Sequence, residues 1–160
     1  MEILMISSKE AGQLLPMKDC INVMQKTMGN LALGLSDVPQ RQALWRPDKS
    51  GLLATMPALD TGLGRFAVKT LTVYPSNHKL GYDSHQGVVV LFDDTCGQPL
   101  AIINAGEITG IRTAAVSAVA TRLLAREDAS DLVIIGCGLQ AIKHVEAMLA
   151  VRPVNRIRAW

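Results

Sequence analysis

The stretch DLVIIGCGLQAIKHVEAM, Asp131 to Met148, decides how the chain is read. Asp131 to Ile135 is a short apolar run of the kind that makes a buried strand. Gln140 to Leu149 has helical spacing. Between them Gly136, Gly138 and Ala141 spell G-x-G-x-x-A. Each position has a physical task in a dinucleotide-binding turn. Gly136 makes the tight turn, Gly138 lets the backbone approach a pyrophosphate, and Ala141 lets helix and strand pack closely. N–H groups at the helix start attract the anion. A glycine turn in an unrelated strand–helix unit leaves the same trace, so the surrounding pattern has to arbitrate.

That pattern is an alternating one. Glu107 to Arg126 reads as a long alanine-rich helix, and Asn155 to Trp160 as the start of another strand. From about residue 115 the order is therefore helix, strand, helix, strand, the opening of a doubly wound parallel sheet. Thr109, Thr113, Ser117 and Ala120 give the long helix a small-residue face, which permits close approach by another helix or by a ligand. In such folds an acidic residue about 20 positions past the first glycine holds a ribose. Here that position falls at the chain end, where residues 156–160 include no acid. A ribose-binding carboxylate would come just past Trp160. The expectation is a front half of a longer protein, or a chain whose remaining strands are supplied by a second chain.

The first 115 residues read differently, as an α+β mixture. Ile3 to Ile6 is a strand candidate. Ser7 and Ser8 are positioned to cap a short helix through Leu15, with Glu10 adding early negative charge. Met17 to Leu33 forms a second helix with an apolar face through Ile21, Met24, Met28 and Leu31. The segment 35–47 is expected to be irregular. Gly51 to Ala58, Arg65 to Tyr74 and Gly87 to Asp93 are strands, and Leu100 to Ile103 pairs with the last across the DDTCGQP turn.

Composition narrows the function classes. With 49% hydrophobic and 19% charged residues the chain is globular and not disordered. A net charge of +2, no dense Lys/Arg run and 4% aromatic content argue against a nucleic-acid partner. Cys20, Cys96 and Cys137, like His78, His85 and His144, are scattered, so neither a metal site nor a disulfide framework is expected. The cysteines read as buried or semi-buried thiols in a reducing compartment. No apolar run reaches the roughly 20 residues of a membrane span, and MEILMISSKE is no secretory signal. The expected location is the cytoplasm, without membrane attachment.

Several motifs, in order, carry a resemblance. They are MPA at Met56 to Ala58, VK at Val68 and Lys69, SHQG at Ser84 to Gly87, LFDDTCGQPLA at Leu91 to Ala101, TGIRTAAVSAVA at Thr109 to Ala120, and IIGCGLQA at Ile134 to Ala141. The chain resembles the ornithine cyclodeaminase and mu-crystallin family through nearly all of its length. The resemblance implies a substrate-binding and dimerisation domain at 1–115, then the first part of a Rossmann domain at 116–160 for NAD or NADP. It also implies a homodimer and a small imino or amino acid as substrate. By motif, the substrate carboxylate would be held by Arg41, Lys69 and Arg112, with Lys69 also the catalytic residue that assists with charge and a proton. Arginine forks a carboxylate bidentately, which suits that task. Ser84, Arg112, Thr113, Gly136, Gly138, Leu139 and Gln140 would contact the cofactor, and His85 lies near the same site.

Members that deaminate ornithine show a glutamate two residues before the MP pair, where this chain has Ala54. A second cationic amine would then lack a partner. The SHQG form is instead similar to members that reduce cyclic ketimines or act as amino-acid dehydrogenases. The resemblance thus implies reduction of a pyrroline- or piperideine-2-carboxylate. Ornithine cyclodeaminase, a linear amino-acid (alanine) dehydrogenase, and a mu-crystallin-like protein that binds NADPH and a small ligand stay open as alternatives. The family's catalytic aspartate would lie beyond Trp160, and the residue that selects NAD or NADP just past the last strand.

Overall fold

The structure is a computed structural model that describes residues 2–160. It is a mixed α/β molecule with two compact units. The first holds residues 2–11 and Gly29–Ile108, the second Gly12–Met28 and Thr109–Trp160.

The first unit is built on one seven-stranded sheet. Its strands are β1 (Leu4–Ile6), β2 (Ser36–Asp37), β3 (Gln42–Trp45), β4 (Leu52–Asp60), β5 (Arg65–Val73), β6 (His85–Asp93) and β7 (Pro99–Asn104). The order is β1-β7-β6-β5-β4-β2, with β3 also paired to β4. The β4–β7 meander is antiparallel, whereas β1 lies parallel to β7. The segment 35–47 departs from its expected irregularity. Ser36 and Asp37 pair with Asp60 and Leu59, and Gln42–Trp45 pairs with Thr55–Leu52. Long β4 offers its edge along nine residues, and the short strands β2 and β3 satisfy their backbone groups there without an alternating apolar pattern of their own.

Side chains alternate between the two faces of this sheet. Ala54, Lys69, Leu71 and Gly87 share one face, since Met56 pairs with Lys69, Ala54 with Leu71, and Leu71 with Gly87. Ala54, Leu71 and Ala101 on that face are buried. The other face carries Pro57, Leu59, Phe66, Val68 and Phe92 around an open apolar hollow of about 320 Å³. Gly87 is demanded by packing. A Cβ there would collide with the carbonyl oxygen of Thr70 and stand 2.6 Å from Leu71 Cα. At the β4–β5 turn, Asp60 accepts from Asn30 Nδ2 at 3.1 Å, Ser36 Oγ at 2.9 Å and the Leu63 N–H at 3.0 Å. Burial opposes the charge of Asp60, but these bonds outweigh it and hold the carboxyl below its ordinary range.

The helices are α1 (Ser8–Leu14), α2 (Met17–Ala32), α3 (Ala105–Leu124) and α4 (Leu139–Leu149). Ser7 closes a capping box on α1. The Glu10 N–H donates to Ser7 Oγ at 3.3 Å, and the Ser7 N–H donates back to Glu10 Oε2 at 2.9 Å. The polar loop 75–84 contains a short 3₁₀ turn at Pro75–Leu80, closed by Gly81 in the left-handed region.

The second unit has its core where α2, α3 and α4 meet. Met17, Cys20 and Ile21 pack with Ile111, Ala114, Ala115, Ala118 and Val119, and with Ala147 and Met148. The four alanines of this cluster are 0% exposed. On α2 only the first part of the expected apolar face is covered, since Met28 and Leu31 are 37% and 42% exposed. On α3 the small-residue face turns toward α4 at Ser117 and Thr121, while Ala120 is exposed. Two parallel strands, β8 (Asp131–Ile134) and β9 (Arg156–Ala159), complete the unit. This is the βαβ opening that the sequence pattern predicts.

Arg152 stops α3. Its Nη2 donates to the carbonyls of Thr121, Arg122 and Ala125 at 2.7–3.0 Å, and its Nε donates to that of Arg126 at 2.9 Å. A cation on the last carbonyls also complements the helix dipole.

Candidate functional site

In the second unit the turn between β8 and α4 opens a cleft of about 370 Å³. Gly136 sits at φ +99°, a conformation that only glycine adopts without strain. Its N–H donates to the Trp160 carbonyl at 2.7 Å, which ties the turn to the end of β9. Gly138 is different. Its φ of −80° suits any residue, and a Cβ added there would meet no atom within 4 Å. The protein's own packing therefore places no demand for glycine at 138, whereas a ligand pressed on the backbone would. Gly138 is also the N-cap of α4 and provides no side-chain cap, which leaves the first N–H groups of the helix to be satisfied from outside. This is the cradle that a pyrophosphate fits.

Gly136, Gly138, Gln140 and Ala141 line that cleft together. Leu139 is not among its lining groups. Its side chain lies over Gly110 of α3, so what Leu139 offers the cleft is its N–H. Gln140 reaches α3, where Nε2 is 3.5 Å from the Thr109 carbonyl. Arg112 on α3 is exposed, and Thr113 next to it has a buried Oγ1 without a hydrogen-bond partner among the described residues. An orphaned hydroxyl of this kind calls for an acceptor or donor that the protein does not provide. Burial pushes the Cys20 thiol up, and the charge of Arg112 works against that shift.

His144 went without a role in the motif reading, yet it borders the same cleft. Its Nε2 is 2.9 Å from Ser117 Oγ and its Nδ1 2.7 Å from the Gln140 carbonyl. The signal available in the sequence was the helical spacing, with Ser117 four residues after Thr113 and His144 four after Gln140.

The remaining candidates lie in the first unit and are not clustered. Lys69 is half-buried in the middle of β5, opposite Val89. Ser84 precedes β6, and its carbonyl accepts from the Tyr74 N–H at 2.8 Å. Five ladder positions, roughly 17 Å of strand, thus separate Ser84 from the partner of Lys69. Ser84 Oγ is 2.9 Å from His85 Nδ1. Arg41 is exposed on the approach to β3. The cysteines depart from the expected burial: Cys20 is buried, but Cys96 and Cys137 are exposed because each sits in a turn. Among the described residues no group of His, Cys, Asp and Glu is placed to hold a metal ion. No helix among them is long and apolar enough to cross a membrane.

Comparison with known proteins gives a consistent result. The model of the ornithine cyclodeaminase/mu-crystallin family matches residues 1–160. A Delta(1)-pyrroline-2-carboxylate reductase of Bacillus cereus is 35% identical over 155 residues, covering 97% of this chain and 48% of the relative. The ketimine reductase mu-crystallin of Mus musculus is 37% identical over 110 residues, 69% of this chain and 35% of its own length. Among solved structures, the Delta(1)-pyrroline-2-carboxylate reductase of Thermococcus litoralis, in complex with NADH and L-proline, superimposes with a TM-score of 0.93 at 32% identity. It covers 98% of this chain and 49% of that one. An archaeal alanine dehydrogenase dimer with bound NAD also reaches 0.93, at 30% identity, over 99% and 48% of the two chains. The chain thus spans about half the length of the relatives it matches.

Proposed function

Because the chain belongs to the ornithine cyclodeaminase/mu-crystallin family, we propose that it is part of an NAD(P)H-dependent reductase of a small cyclic imino acid such as pyrroline-2-carboxylate. The observation that carries the reading is the open cradle at Gly136 and Gly138, where glycine at 138 is explained by a ligand and not by packing. Residues 1–115 then serve as the substrate-binding and dimerisation domain, and 116–160 begin the Rossmann domain.

Gly136, Gly138, Gln140 and the Leu139 N–H hold the pyrophosphate, with Thr113 satisfying its hydroxyl on the same ligand. Ser84 contributes at the reacting end. Arg41 and Arg112 fix the substrate carboxylate. Lys69 holds charge beside it and passes a proton to the imine nitrogen. The nicotinamide, when bound, supplies the hydride that the imine carbon receives, so C=N becomes CH–NH. The protein's share is orientation and electrostatics. The exposed apolar hollow around Phe66 and Phe92 is the surface that a second copy would cover in a homodimer.

Ala54 supports a substrate without a distal amine. It is 4% exposed and paired with Leu71, so an ammonium there would be buried without a carboxylate. The similarity to the alanine dehydrogenase keeps a linear amino-acid substrate as the second reading. The test follows oxidation of NADH and NADPH by nicotinamide absorbance with pyrroline-2-carboxylate, pyruvate plus ammonia, and ornithine as alternative substrates. The reading expects turnover with the cyclic imine, lost in Lys69→Ala and Arg112→Ala. Dinucleotide binding without turnover on any of them would instead favour a mu-crystallin-like binding protein.

A further inference from the structure

His144 is the one group lining the β8–α4 cleft, among the described residues, that can carry a charge. Its hydrogen bonds define what protonation would require. The Gln140 carbonyl can only accept, so Nδ1 carries a hydrogen and donates to it at 2.7 Å. In the neutral ring Nε2 is bare, and the Ser117 hydroxyl donates to it at 2.9 Å. In the imidazolium Nε2–H donates to Ser117 Oγ instead. The serine proton then turns to the Thr113 carbonyl, 3.3 Å away. Both states are fully satisfied, and the change between them is one hydroxyl rotation. His78 and His85 lack this arrangement. Among the described residues their hydrogen-bond contacts are at Nδ1, to the Pro75 carbonyl for His78 and to Ser84 Oγ for His85, and neither ring borders the cleft.

The surrounding charges are few. On α4 they are Lys143, whose stem lies over Gly110 of α3, and Glu146. On the stretch of α3 that faces α4 the one charge is the exposed Arg112. β8 carries one charge, Asp131, which is paired with Arg156 of β9, and Arg158 of β9 is the register partner of Val133; residues 133–135 carry none, and the turn adds only the exposed Cys137 thiol. A dianionic pyrophosphate entering this cleft would be the dominant new charge beside His144, and it favours the protonated ring.

We propose that dinucleotide binding is coupled to proton uptake by His144, with Ser117 and the Thr113 carbonyl as the relay that accommodates the imidazolium. The inference rests on the dinucleotide reading of the cleft and adds its regulation: affinity rises as pH falls through the neutral range. The sign follows from linkage, because the bound state holds more protons than the free one.

The test is calorimetric titration of the protein with NADH in phosphate and in Tris, at matched pH. NADH lacks a 2′-phosphate, so the ligand itself does not titrate in this range. Expected are net proton uptake on NADH binding, seen as a buffer-dependent heat, and binding severalfold tighter at pH 6 than at pH 8. His144→Gln retains one donor and one acceptor for Gln140 and Ser117 but cannot titrate, and its binding should show no buffer dependence and a flat pH profile. Ser117→Ala removes the acceptor for Nε2–H and should reduce the uptake, whereas a merely structural role would weaken binding equally at every pH. Wild-type binding with no proton uptake between pH 6 and 8 overturns the proposal and leaves the dinucleotide reading standing. Uptake that survives in His144→Gln does the same. No binding of NADH at any pH overturns both.

Discussion

Replacing Arg152 by alanine tests how α3 is terminated. The guanidinium donates to the carbonyls of Thr121, Arg122, Ala125 and Arg126 from its Nη2 and Nε, and Nη1 reaches the Val151 carbonyl at 2.7 Å. One nitrogen is shared among three carbonyls, so the set counts as about two effective charge-assisted bonds, worth about 1.5 kcal/mol each at the low end of their range. The cation at the helix C-terminus adds about 0.5 kcal/mol. Water re-solvates part of the exposed helix end in the variant, which brings the expected loss to about 2–3 kcal/mol. That is a large share of a total stability of about 5–15 kcal/mol. Arg152→Lys retains the charge but not the fork, and should recover only the dipole part, about 0.5 kcal/mol. The assay is urea denaturation of wild type and both variants, read by far-ultraviolet circular dichroism with the denaturant slope checked for constancy. A loss below about 0.5 kcal/mol in Arg152→Ala, or a lysine variant as stable as wild type, would refute the account of a guanidinium-specific cap.

Other perturbations separate packing from ligand binding. Gly138→Ala should leave thermal stability within about 0.5 kcal/mol yet weaken NADH binding at least about tenfold by blocking backbone approach, as read by melting and titration of one preparation. Gly136→Ala, at φ +99°, should instead lose both binding and about 1–2 kcal/mol of stability. Gly87→Ala forces its methyl against the β5 backbone, which cannot yield as a side chain could. Denaturation should show a loss of about 2–3 kcal/mol. Asp131 and Arg156 form a two-pronged pair at 2.5 and 2.6 Å across β8 and β9. The Arg156 hydrogen bond and charge hold the Asp131 carboxyl below its ordinary 3.8. Its contribution is therefore full above that value and disappears as pH falls through the lowered one, and the protection factor of the Ile157 amide, its exchange rate relative to the intrinsic rate at each pH, should fall over that acid window while remaining unchanged from pH 5 to 7.

Local chemistry made much of this fold legible. The β8 strand, the glycine turn and α4 follow one another in sequence, and each announces itself by apolar run, glycine or helical period. The β4–β7 meander is also a chain of neighbours joined by turns. What was hidden depends on residues far apart in the chain. β2 and β3 are short and have no apolar alternation, and they are strands only because β4 offers them an edge. The same holds for the parallel pairing of β1 with β7, which joins positions about a hundred residues apart. Residues 12–28 associate with the helices of the second unit, a grouping that no boundary signal in their own sequence announces. At the site, the cradle was readable because one short segment builds it. The contact of Ser117 with His144 spans 27 positions and joins two helices, so no motif encloses it.

The seam of Ala114, Ala115, Ala118 and Ala147 has a thermodynamic consequence of its own. A methyl group has no rotamers to lose, so ordering this seam carries no side-chain entropy cost and leaves only the backbone term. It also leaves no alternative packing to hop between, as leucines or methionines in the same place would. The helix that carries the glycine turn thus meets its neighbour, at these four positions, through groups with very few internal degrees of freedom, and Met148 adds the flexible part of the contact. Its spacing should change little with temperature, and the geometry of the turn should be set by the thickness of the backbone itself.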